Sequence, residues 1–287
     1  MSDMLSLWLV TNAASGSNTG TSFDELRDAC AESGLRVVRT TCFPGEDLPR
    51  PHELDAAGVE LVAVYTGDGT VNALVTSLYG WDGAVLILPG GTMNLLYHRL
   101  HGERELAEVL GAVAAGKAHR TRPDIIRCGD GGDCGDGLSG VMAGPGTQWN
   151  DVREAIRKID IPAMAAGTAQ AIGKSVAAPM IACTAPALGR PEGYPLVMLT
   201  PEQGGFVVEA YYAESFEDYV AQGLALLKRD FREGPHDTLG TVRQLTIENV
   251  AEDPVGLLVD GEPADAGHRI RFTLVPCEVD LLATQAP

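Results

Sequence analysis

The chain of 287 residues carries 39 acidic and 21 basic side chains, a formal net charge of −18, and 45% of its residues are hydrophobic. This length suits one large domain or two modest ones, and the apolar content is sufficient for a buried core. The acidic balance argues against nucleic acid as a partner, and an anionic membrane would be repelled unless basic residues gather on one face.

The first 120 residues alternate between apolar, strand-like runs and helix-like runs. Strands are predicted at 5–10, 35–41, 60–65 and 84–89, and helices at 22–33, 46–57, 70–78, 93–100 and 103–115. Because the strands are apolar on both faces and alternate with helices, we expect a parallel sheet with helices on both faces. Ligands of such sheets bind at the carboxyl ends of the strands.

After about residue 120, glycine and proline become frequent and the strands lose their intervening helices. Strands are predicted at 124–129, 138–144, 178–185, 194–200, 205–212, 240–250, 255–261 and 268–275, and helices at 149–174 and 216–231. The alternation of QLTIENV and IRFTLV is typical of an antiparallel sheet with one solvated face.

The predicted fold class is therefore α/β plus β. We expect an α/β domain over 1–122, to which the last few residues of the chain can return. A mainly antiparallel, β-sandwich-like domain is expected over 123–287, with a cleft between the two domains.

The six cysteines form no CxxC pair, so we interpret them as reduced thiols of a cytosolic protein. The amino-terminal residues lack a basic region and are interpreted as a first strand, and no apolar run reaches the ~18 residues of a membrane span. The glycine-rich, acidic stretch 127–137 is interpreted as a solvated hairpin tip. These features predict a cytoplasmic protein.

Three glycine-rich loops follow strands of the first domain: TNAASGSNTG (11–20), TGDGT (66–70) and PGGTMN (89–94). Glycine lets backbone N–H groups approach a phosphate, and the amino end of the following helix favours the charge of that phosphate. Taken alone, the first loop is better explained as a helix-capping turn, PGGTMN as a tight strand–helix connection and Thr70 as a helix cap, whereas TGDGT is the stronger signal. Together at one sheet edge, they favour a nucleotide phosphate site, where Asp68 suits a magnesium-bound water or a ribose network.

A fourth motif, LVDGEPA (258–264), ends an apolar strand far along the chain. Asp-Gly at this position indicates a hairpin turn first of all. In the functional interpretation, Glu262, together with Asp260, takes the proton of a hydroxyl that attacks a phosphoryl group.

In this order and spacing, NAASG, TGDGTVN, LPGGTMN, the Asp of RPDIIR and VDGEP resemble the diacylglycerol kinase catalytic-domain family. The likeness is to its soluble bacterial lipid kinases, with sphingosine and ceramide kinases as relatives, and the motifs span residues 11–263. The resemblance implies a lipid kinase, a phosphotransferase with an alcohol group as acceptor. ATP would lie against the first domain, which would thus be a nucleotide-binding domain, and Mg²⁺ would be required.

The γ-phosphate would pass to a diacylglycerol, monoacylglycerol or sphingoid lipid, with the second domain supplying the substrate and catalytic groups. A lipid substrate also implies transient, peripheral contact with a membrane. A homodimer is compatible with the sequence.

The resemblance also implies roles for individual residues. Nucleotide contacts fall on Asn12, Ser15, Gly16, Thr41 (or Thr40 if the register shifts by one), Gly67, Asp68, Gly69, Thr70, Val71, Asn72, Gly90, Gly91, Thr92 and Asn94. The catalytic carboxylate falls on Glu262, with Asp260 and Asp68 as further catalytic candidates. Asp124 matches an aspartate that is linked indirectly to the metal and charge network.

Four positions depart from the family pattern. Thr66 replaces a glycine, Ala73 a common glutamate and Leu95 the aspartate of bacterial members. Gly204 stands in place of an aspartate that helps to hold a structural magnesium in some members, so that structural site is not predicted here.

Two alternative functions remain open on the sequence. NAD kinases share the Gly-Asp-Gly motif, although PGGTMN and VDGEP follow the lipid-kinase pattern. A nucleotide-binding protein without catalysis is compatible with the departures at positions 73, 95 and 204.

Overall fold

The structure, a computed structural model, describes residues 5–12, 23–148, 180–211 and 236–285. The chain divides into two compact units, Met1–Pro123 with Pro276–Pro287, and Asp124–Val275. The predicted helices at 149–174 and 216–231 lie outside the described residues, as do Ser15 and Gly16 of the first loop.

The first unit contains a mixed sheet and its helices. Its described elements are β1 (Leu5–Asn12), α1 (Phe23–Glu32), β2 (Leu35–Phe43), α2 (Pro51–Ala56), β3 (Leu61–Thr66), α3 (Asp68–Ser77), β4 (Ala84–Pro89), α4 (Leu95–His101), α5 (Leu106–Ala114), β5 (His119–Thr121) and β18 (Asp280–Ala283).

The six strands of the first unit follow the order β2-β1-β3-β4-β18-β5. Neighbouring strands are parallel from β2 through β18, and β5 runs antiparallel to β18 at the edge. β3 is buried along its whole length, as expected of a strand with both faces covered. The prediction of a parallel sheet with helices is therefore confirmed.

Two short strands, β5 and β18, escaped the sequence analysis because three and four residues are too few to show a pattern. β18 returns from the end of the chain and lies between β4 and β5. Its Asp280 carboxylate accepts hydrogen bonds from Arg122 Nε at 2.7 Å and Arg120 Nη1 at 3.3 Å. The ion pairs fix the returning strand against the edge strand.

The second unit is built from antiparallel strands. Its described strands are β6 (Asp124–Cys128), β7 (Asp136–Gly137), β8 (Val141–Ala143), β9 (Ile181–Ala185), β10 (Ala187–Leu188), β11 (Leu196–Glu202), β12 (Gly205–Tyr211), β13 (His236–Val242), β14 (Gln244–Asn249), β15 (Leu257–Val259), β16 (Glu262–Ala264) and β17 (Arg269–Pro276).

These strands form two six-stranded sheets, in the orders β10-β9-β14-β17-β6-β7 and β13-β12-β11-β8-β15-β16. One buried cluster draws residues from both sheets, among them Ile247 and Phe272 of the first and Val197 and Phe206 of the second. A core shared by two sheets defines a sandwich. The predicted antiparallel β fold is confirmed.

One predicted strand, 240–250, is in fact two strands that belong to different sheets. β13 ends at Val242 and pairs with β12, whereas β14 begins at Gln244 and pairs with β9 and β17. The chain changes sheets at Arg243. The alternation changes phase here, from Val242 to Leu245 across the polar residues Arg243 and Gln244, and both strands place residues in the same core.

The glycine-rich stretch 127–137 forms a hairpin between β6 and β7, as predicted. Asp136 is nevertheless buried rather than solvated. Its carboxylate accepts hydrogen bonds from Arg127 Nε at 3.0 Å and Nη2 at 2.7 Å. This bidentate ion pair connects β6 to β7 at the base of the hairpin.

Candidate functional site

The TGDGT motif forms the end of β3 and the first turn of α3. Gly67 is the N-cap residue, in an extended conformation, and as a glycine it supplies no capping side chain. The Asp68 carboxylate bonds its own backbone amide. The N-cap position leaves the other amides of the first turn uncapped, which makes this helix end suitable for an anion. Val71 is only 2% exposed, so its contribution to a bound ligand is limited to its backbone.

The Asp68 carboxylate connects this turn to the next loop. Burial raises the pKa of Asp68, while hydrogen bonds from the backbone amides of Leu96, Leu95 and Asn94 act in the opposite direction. These amides belong to the start of α4, whose own N-cap residue, Asn94, makes no side-chain cap. Asp68 therefore caps α4 from the neighbouring strand end.

The glycines of PGGTMN are required by close contact between backbones. A Cβ on Gly90 would lie 2.4 Å from the backbone nitrogen of Thr66, and a Cβ on Gly91 would lie 2.6 Å from Cα of Gly67. No larger residue fits without moving the backbone. The loops after β3 and β4 are therefore pressed together.

Asn94 stabilises the PGGTMN loop through hydrogen bonds within the loop. Its Oδ1 accepts from the Gly91 N–H at 2.7 Å, and its Nδ2 donates to the Gly91 carbonyl oxygen at 3.0 Å. Asn94 has a left-handed backbone (φ 51°), which asparagine tolerates better than most residues. Thr92, at the tip of the loop, is exposed.

Asn12 connects the end of β1 to the same region. Its Nδ2 donates to the hydroxyl oxygen of Thr70 at 2.9 Å. The strand register agrees with this contact, since Thr11 pairs with Tyr65 and Thr66 pairs with Pro89. The carboxyl ends of β1, β3 and β4 thus meet at one edge, and Asn12, Thr70, Asp68 and Asn94 are brought together by hydrogen bonds.

Thr41 is placed differently from the sequence-based expectation. Its side chain is 1% exposed, and its hydroxyl accepts a hydrogen bond from Trp8 Nε1 at 2.9 Å. The Thr41 side chain therefore stabilises the β1–β2 pair, and the expectation that this side chain meets a nucleotide is not supported. Thr40, the alternative, is half-buried.

In the second unit, the VDGEP motif is a tight hairpin between β15 and β16. Asp260 and Gly261 both have left-handed backbones, with φ of 47° and 86°. Such values at both central positions are typical of the type I′ turns that join two antiparallel strands. The interpretation of Asp-Gly as a structural hairpin turn is therefore confirmed.

The Asp260 carboxylate binds the turn that precedes β8. Oδ2 accepts from the backbone N–H of Leu138 at 2.9 Å, and Oδ1 accepts from Ser139 at 2.8 Å and Gly140 at 2.9 Å. The sequence contains no signal for these partners, which lie at least 120 positions earlier in the chain. Asp260 therefore determines the shape of this corner of the sheet.

Glu262 is the first residue of β16 and pairs with Val259. Its side chain is exposed, and within the described residues its carboxylate enters no ion pair. Glu262 therefore lies at the surface of the second unit, next to the Asp260–Gly261 turn.

Asp124 opens the second unit and contacts the position that departs from the family pattern. Its Oδ2 accepts from the Gly204 N–H at 2.9 Å, and the Gly204 carbonyl oxygen accepts from Arg243 Nη1 at 3.2 Å. Gly204 occupies a tight turn between β11 and β12, with φ of 82°. Asp124 therefore anchors this turn through its backbone.

The described residues contain no cluster of three or more His, Cys, Asp or Glu side chains that could hold a metal ion. A metal site made by protein groups alone is thus not found in that part of the chain. Over the same residues, no helix has the length and apolar character needed to cross a membrane.

Solved structures share this two-unit fold over its whole length. A diacylglycerol kinase from Bacillus anthracis str. Sterne aligns with a TM-score of 0.59 and 14% identity, covering 99% of this chain and 98% of that one. Two further chains from the same organism align with TM-scores of 0.58 and 0.56, both at 16% identity. The first of these alignments covers 99% of this chain and 96% of that one, and the second covers 98% of each. At such identities the likeness defines the fold.

The sequence assigns the family more directly. Residues 6–127 match the family model of the diacylglycerol kinase catalytic domain. The matched part of the chain includes β1, β3, β4 and their loops, and the resemblance noted in the motifs is confirmed. No curated protein matches the chain in sequence.

Proposed function

We propose that the protein is an ATP-dependent lipid kinase that transfers the γ-phosphate to a hydroxyl of a diacylglycerol-like or sphingoid lipid. The observation that carries the proposal is the meeting of three strand ends at one edge of the first sheet. There Asn12 binds Thr70 and Asp68 caps α4, within the segment that matches a diacylglycerol kinase catalytic domain. Phosphate-binding loops are expected at such an edge.

The residues at this edge fit a nucleotide. The first turn of α3 follows a glycine that supplies no N-cap side chain, while Thr92 is exposed at the tip of the neighbouring loop. Gly67, Gly69, Thr70 and Asn72 would contact the phosphates through backbone amides and short polar side chains.

Asp68 is the carboxylate at this edge that suits the magnesium ion, acting through a water molecule because backbone amides already bind it. Bound magnesium would neutralise phosphate charge, and an ion held mainly by phosphates and waters needs few protein ligands.

Glu262 is the proposed general base. The acceptor hydroxyl gives its proton to the Glu262 carboxylate while its oxygen attacks the phosphorus. Asp260 has both oxygens engaged by backbone amides, so its proposed role is to position the hairpin that presents Glu262. Asp124 has a similar positioning role, through the amide of Gly204.

A lipid acceptor is supported by a second apolar layer in the second unit. Leu196, Met198 and Tyr211 form a cluster separate from the main core, with Met142 packed against it. Met198 and Met142 are register partners, which places them on the same face of the sheet. Methionine adapts readily to irregular apolar shapes, as binding of an acyl chain requires.

The proposal is tested by incubating the protein with labelled ATP and magnesium and a panel of diacylglycerol, monoacylglycerol and sphingoid bases. NAD is included as a separate acceptor. We expect label in one of the lipids. Label in NAD would favour the NAD kinase alternative. A rise in thermal stability with ATP and magnesium, without any labelled acceptor, would favour a binding protein that lacks catalysis.

The role of Glu262 is tested by Glu262→Gln, with Asp265→Asn as the matched control. Both side chains are exposed carboxylates close together in the chain, and Asp265 directly follows β16. Loss of a general base typically lowers the rate by about 10²–10⁴-fold. We expect that loss in kcat for Glu262→Gln, with ATP binding unchanged, and normal turnover for the control. Equal rates in the two variants would remove Glu262 from the mechanism.

A further inference from the structure

Two cysteines, Cys128 and Cys134, are joined by a backbone hydrogen bond in the hairpin that links β6 to β7. The backbone N–H of Cys134 donates to the carbonyl oxygen of Cys128 at 3.3 Å, and the N–H of Cys128 donates to Gly135 at 2.9 Å. Continuing the register of Ile126 with Gly137 and Arg127 with Asp136 places Gly135 opposite Cys128, so Cys134 is the adjoining, bulged residue. Its direct N–H···O=C bond to Cys128 still keeps the two Cα atoms within the ~4.4–6.8 Å that a disulfide bond requires.

The two thiols also face the same apolar layer. Cys128 is fully buried in the core of the second unit, and Cys134 packs against that core. A Cβ on Gly129 would lie 3.1 Å from Cys134 Sγ, so this sulfur lies over the residue that follows Cys128. Burial raises the pKa of the Cys128 thiol, and the nearby charge of Cys134 raises it further.

The other cysteines have different neighbours. In their sheets, Cys42 pairs with Thr11, and Cys183 pairs with Leu188 and Ile247. Cys30 lies on helix α1. The N–H of Cys277 donates to the carbonyl oxygen of Pro123 at 2.9 Å. Within the described residues, Cys128 and Cys134 are therefore the cysteines that a backbone hydrogen bond joins directly.

We propose that Cys128 and Cys134 are a reversible oxidation site, which closes to an intramolecular disulfide on reaction with a small-molecule disulfide such as oxidised glutathione. The half-buried Cys134 reacts first: its thiolate attacks one sulfur of the oxidant, forms a mixed disulfide and releases one glutathione thiolate. The Cys128 thiolate then attacks the Cys134 sulfur and releases the second. Two electrons and the two thiol protons pass to the oxidant, which becomes two molecules of reduced glutathione.

The order of attack follows from exposure. Cys134 is half-buried, whereas Cys128 is fully buried and reached by no oxidant directly. Cys128 can therefore react only with the mixed disulfide that has already formed on Cys134. The pair thus consists of an accessible attacking thiol and a protected resolving thiol. Because burial and the neighbouring Asp133 raise the pKa of Cys134, the exchange should be faster at higher pH.

The location of the pair gives the crosslink a structural consequence. The charge of Asp260 is among the influences that raise the pKa of Cys128, so the pair lies close to this carboxylate. Asp260 holds the turn at 138–140, which directly follows β7. A disulfide would restrict the motion of the hairpin next to Asp260, the residue that holds this turn.

The test uses the full-length protein, incubated with oxidised glutathione, then denatured and alkylated without reduction. We expect alkylation of four of its six cysteines. We further expect the tryptic peptide 128–153, which contains both cysteines, to lose two hydrogen atoms and carry no glutathione. Reduction with dithiothreitol should restore all six alkylated thiols. Glutathione retained on Cys134, six alkylated thiols before reduction, or a disulfide between molecules would each overturn the proposal.

Two variants separate the steps. Cys128→Ala removes the resolving thiol, so Cys134 should retain glutathione in full, whereas wild type retains none. Cys134→Ala should carry no glutathione on Cys128. In the matched control, Cys42→Ala, a half-buried thiol is removed from the first unit and the disulfide should still form. If glutathione were absent from Cys134 in Cys128→Ala, the proposal would be wrong. Because no step measures kinase activity, the result is independent of the proposed function.

Discussion

The two units use an aspartate-glycine turn in the same way but in different surroundings. Asp68, at the end of a parallel strand, binds the amides that begin α4, and Asp260, in an antiparallel hairpin, binds the amides of residues 138–140. In both cases the carboxylate of a signature motif holds the backbone of a distant loop. The aspartates of such motifs therefore need a structural explanation before a catalytic one is assigned.

The difference between the two turns lies in steric freedom and burial. In the first unit, the neighbouring loop lies so close that Gly90 and Gly91 allow no side chain. In the second, a Cβ on Gly261 would meet nothing within 4 Å. Burial raises the pKa of Asp68, whereas Asp260 is half-buried. The first turn depends on close packing and the second on hydrogen bonds.

The largest expected effect comes from adding a methyl group at each turn. Gly90→Ala places a Cβ 2.4 Å from the Thr66 backbone, and we expect a loss of at least about 3 kcal/mol in the free energy of unfolding. Gly261→Ala should cost only about 1–2 kcal/mol, because the left-handed backbone is strained but space is available. Urea unfolding measures both values.

A helical glycine supplies the control for this pair. Gly111 lies in α5 with nothing within 4 Å of its Cβ position, and Gly111→Ala should raise stability by about 0.5–1 kcal/mol. Equal losses for Gly90→Ala and Gly261→Ala would contradict the proposed difference between the turns.

Acid should destabilise the first unit through His101. This side chain is fully buried, and burial lowers its pKa to about 4. In the unfolded chain its pKa is about 6.5, so between these values the unfolded state binds the proton more readily. Stability is therefore greatest above pH 6.5 and should fall by about 3 kcal/mol as the pH drops to 4.

The measurement is the free energy of unfolding against pH for wild type and His101→Gln. The variant lacks the titrating group, so its profile should be flatter over this range. Carboxylates that titrate in the same range contribute to both proteins and cancel in the difference. Parallel profiles would show that His101 is not responsible.

Replacing each aspartate with asparagine tests the two carboxylates directly. Asp260→Asn keeps a residue that tolerates the left-handed backbone but turns one acceptor into a donor that faces an N–H group. We expect a loss of about 2 kcal/mol. Asp68→Asn should cost less, about 1 kcal/mol, because removal of a buried charge offsets part of the lost hydrogen bonding.

Exposed aspartates in the same units serve as controls. Asp265→Asn in the second unit and Asp47→Asn in the first should change stability by less than about 0.5 kcal/mol. A larger loss for Asp68→Asn than for Asp260→Asn would contradict the role given to burial.

The smallest expected effect concerns the ion pairs at the sheet edges. Asp280 binds Arg120 and Arg122, whose side chains are about half exposed, so Asp280→Asn should cost at most about 1 kcal/mol. The loss should shrink in 1 M salt, since ions screen exposed charges. Asp136→Asn serves as the comparison, because the Arg127–Asp136 pair is more deeply buried and its loss should depend less on salt. Equal salt dependence would contradict this distinction.

Much of the first unit could be predicted from the sequence. Its strands are continuous apolar runs, and the glycine loops that follow them mark the carboxyl edge of the sheet. The position of Thr41 could not be predicted, because a one-residue change in register decides whether a strand side chain faces the interior. The sequence also could not show that Asp68 is engaged by α4, since both residues of such a contact look ordinary when read separately.

In the second unit, the sequence predicted the antiparallel class and most strands but not their assignment to sheets. The change at Arg243 illustrates the reason, since β13 and β14 both place side chains in one core while they pair with different strands. Short strands such as β16 carry too few residues for a periodic signal. The Asp-Gly turn was predictable because its backbone conformation is a local property of those two residues.

The sequence by itself determined the order of elements, the parallel and antiparallel classes of the two units and the turns at glycine. Periodicity and turn preference depend on neighbours a few residues apart, and the chain carries that information locally. Only the tertiary structure decided which amides Asp68 and Asp260 bind, that Thr41 is enclosed, and that Cys128 meets Cys134 across a hairpin. Those contacts depend on how strands pair and pack, which no local pattern specifies.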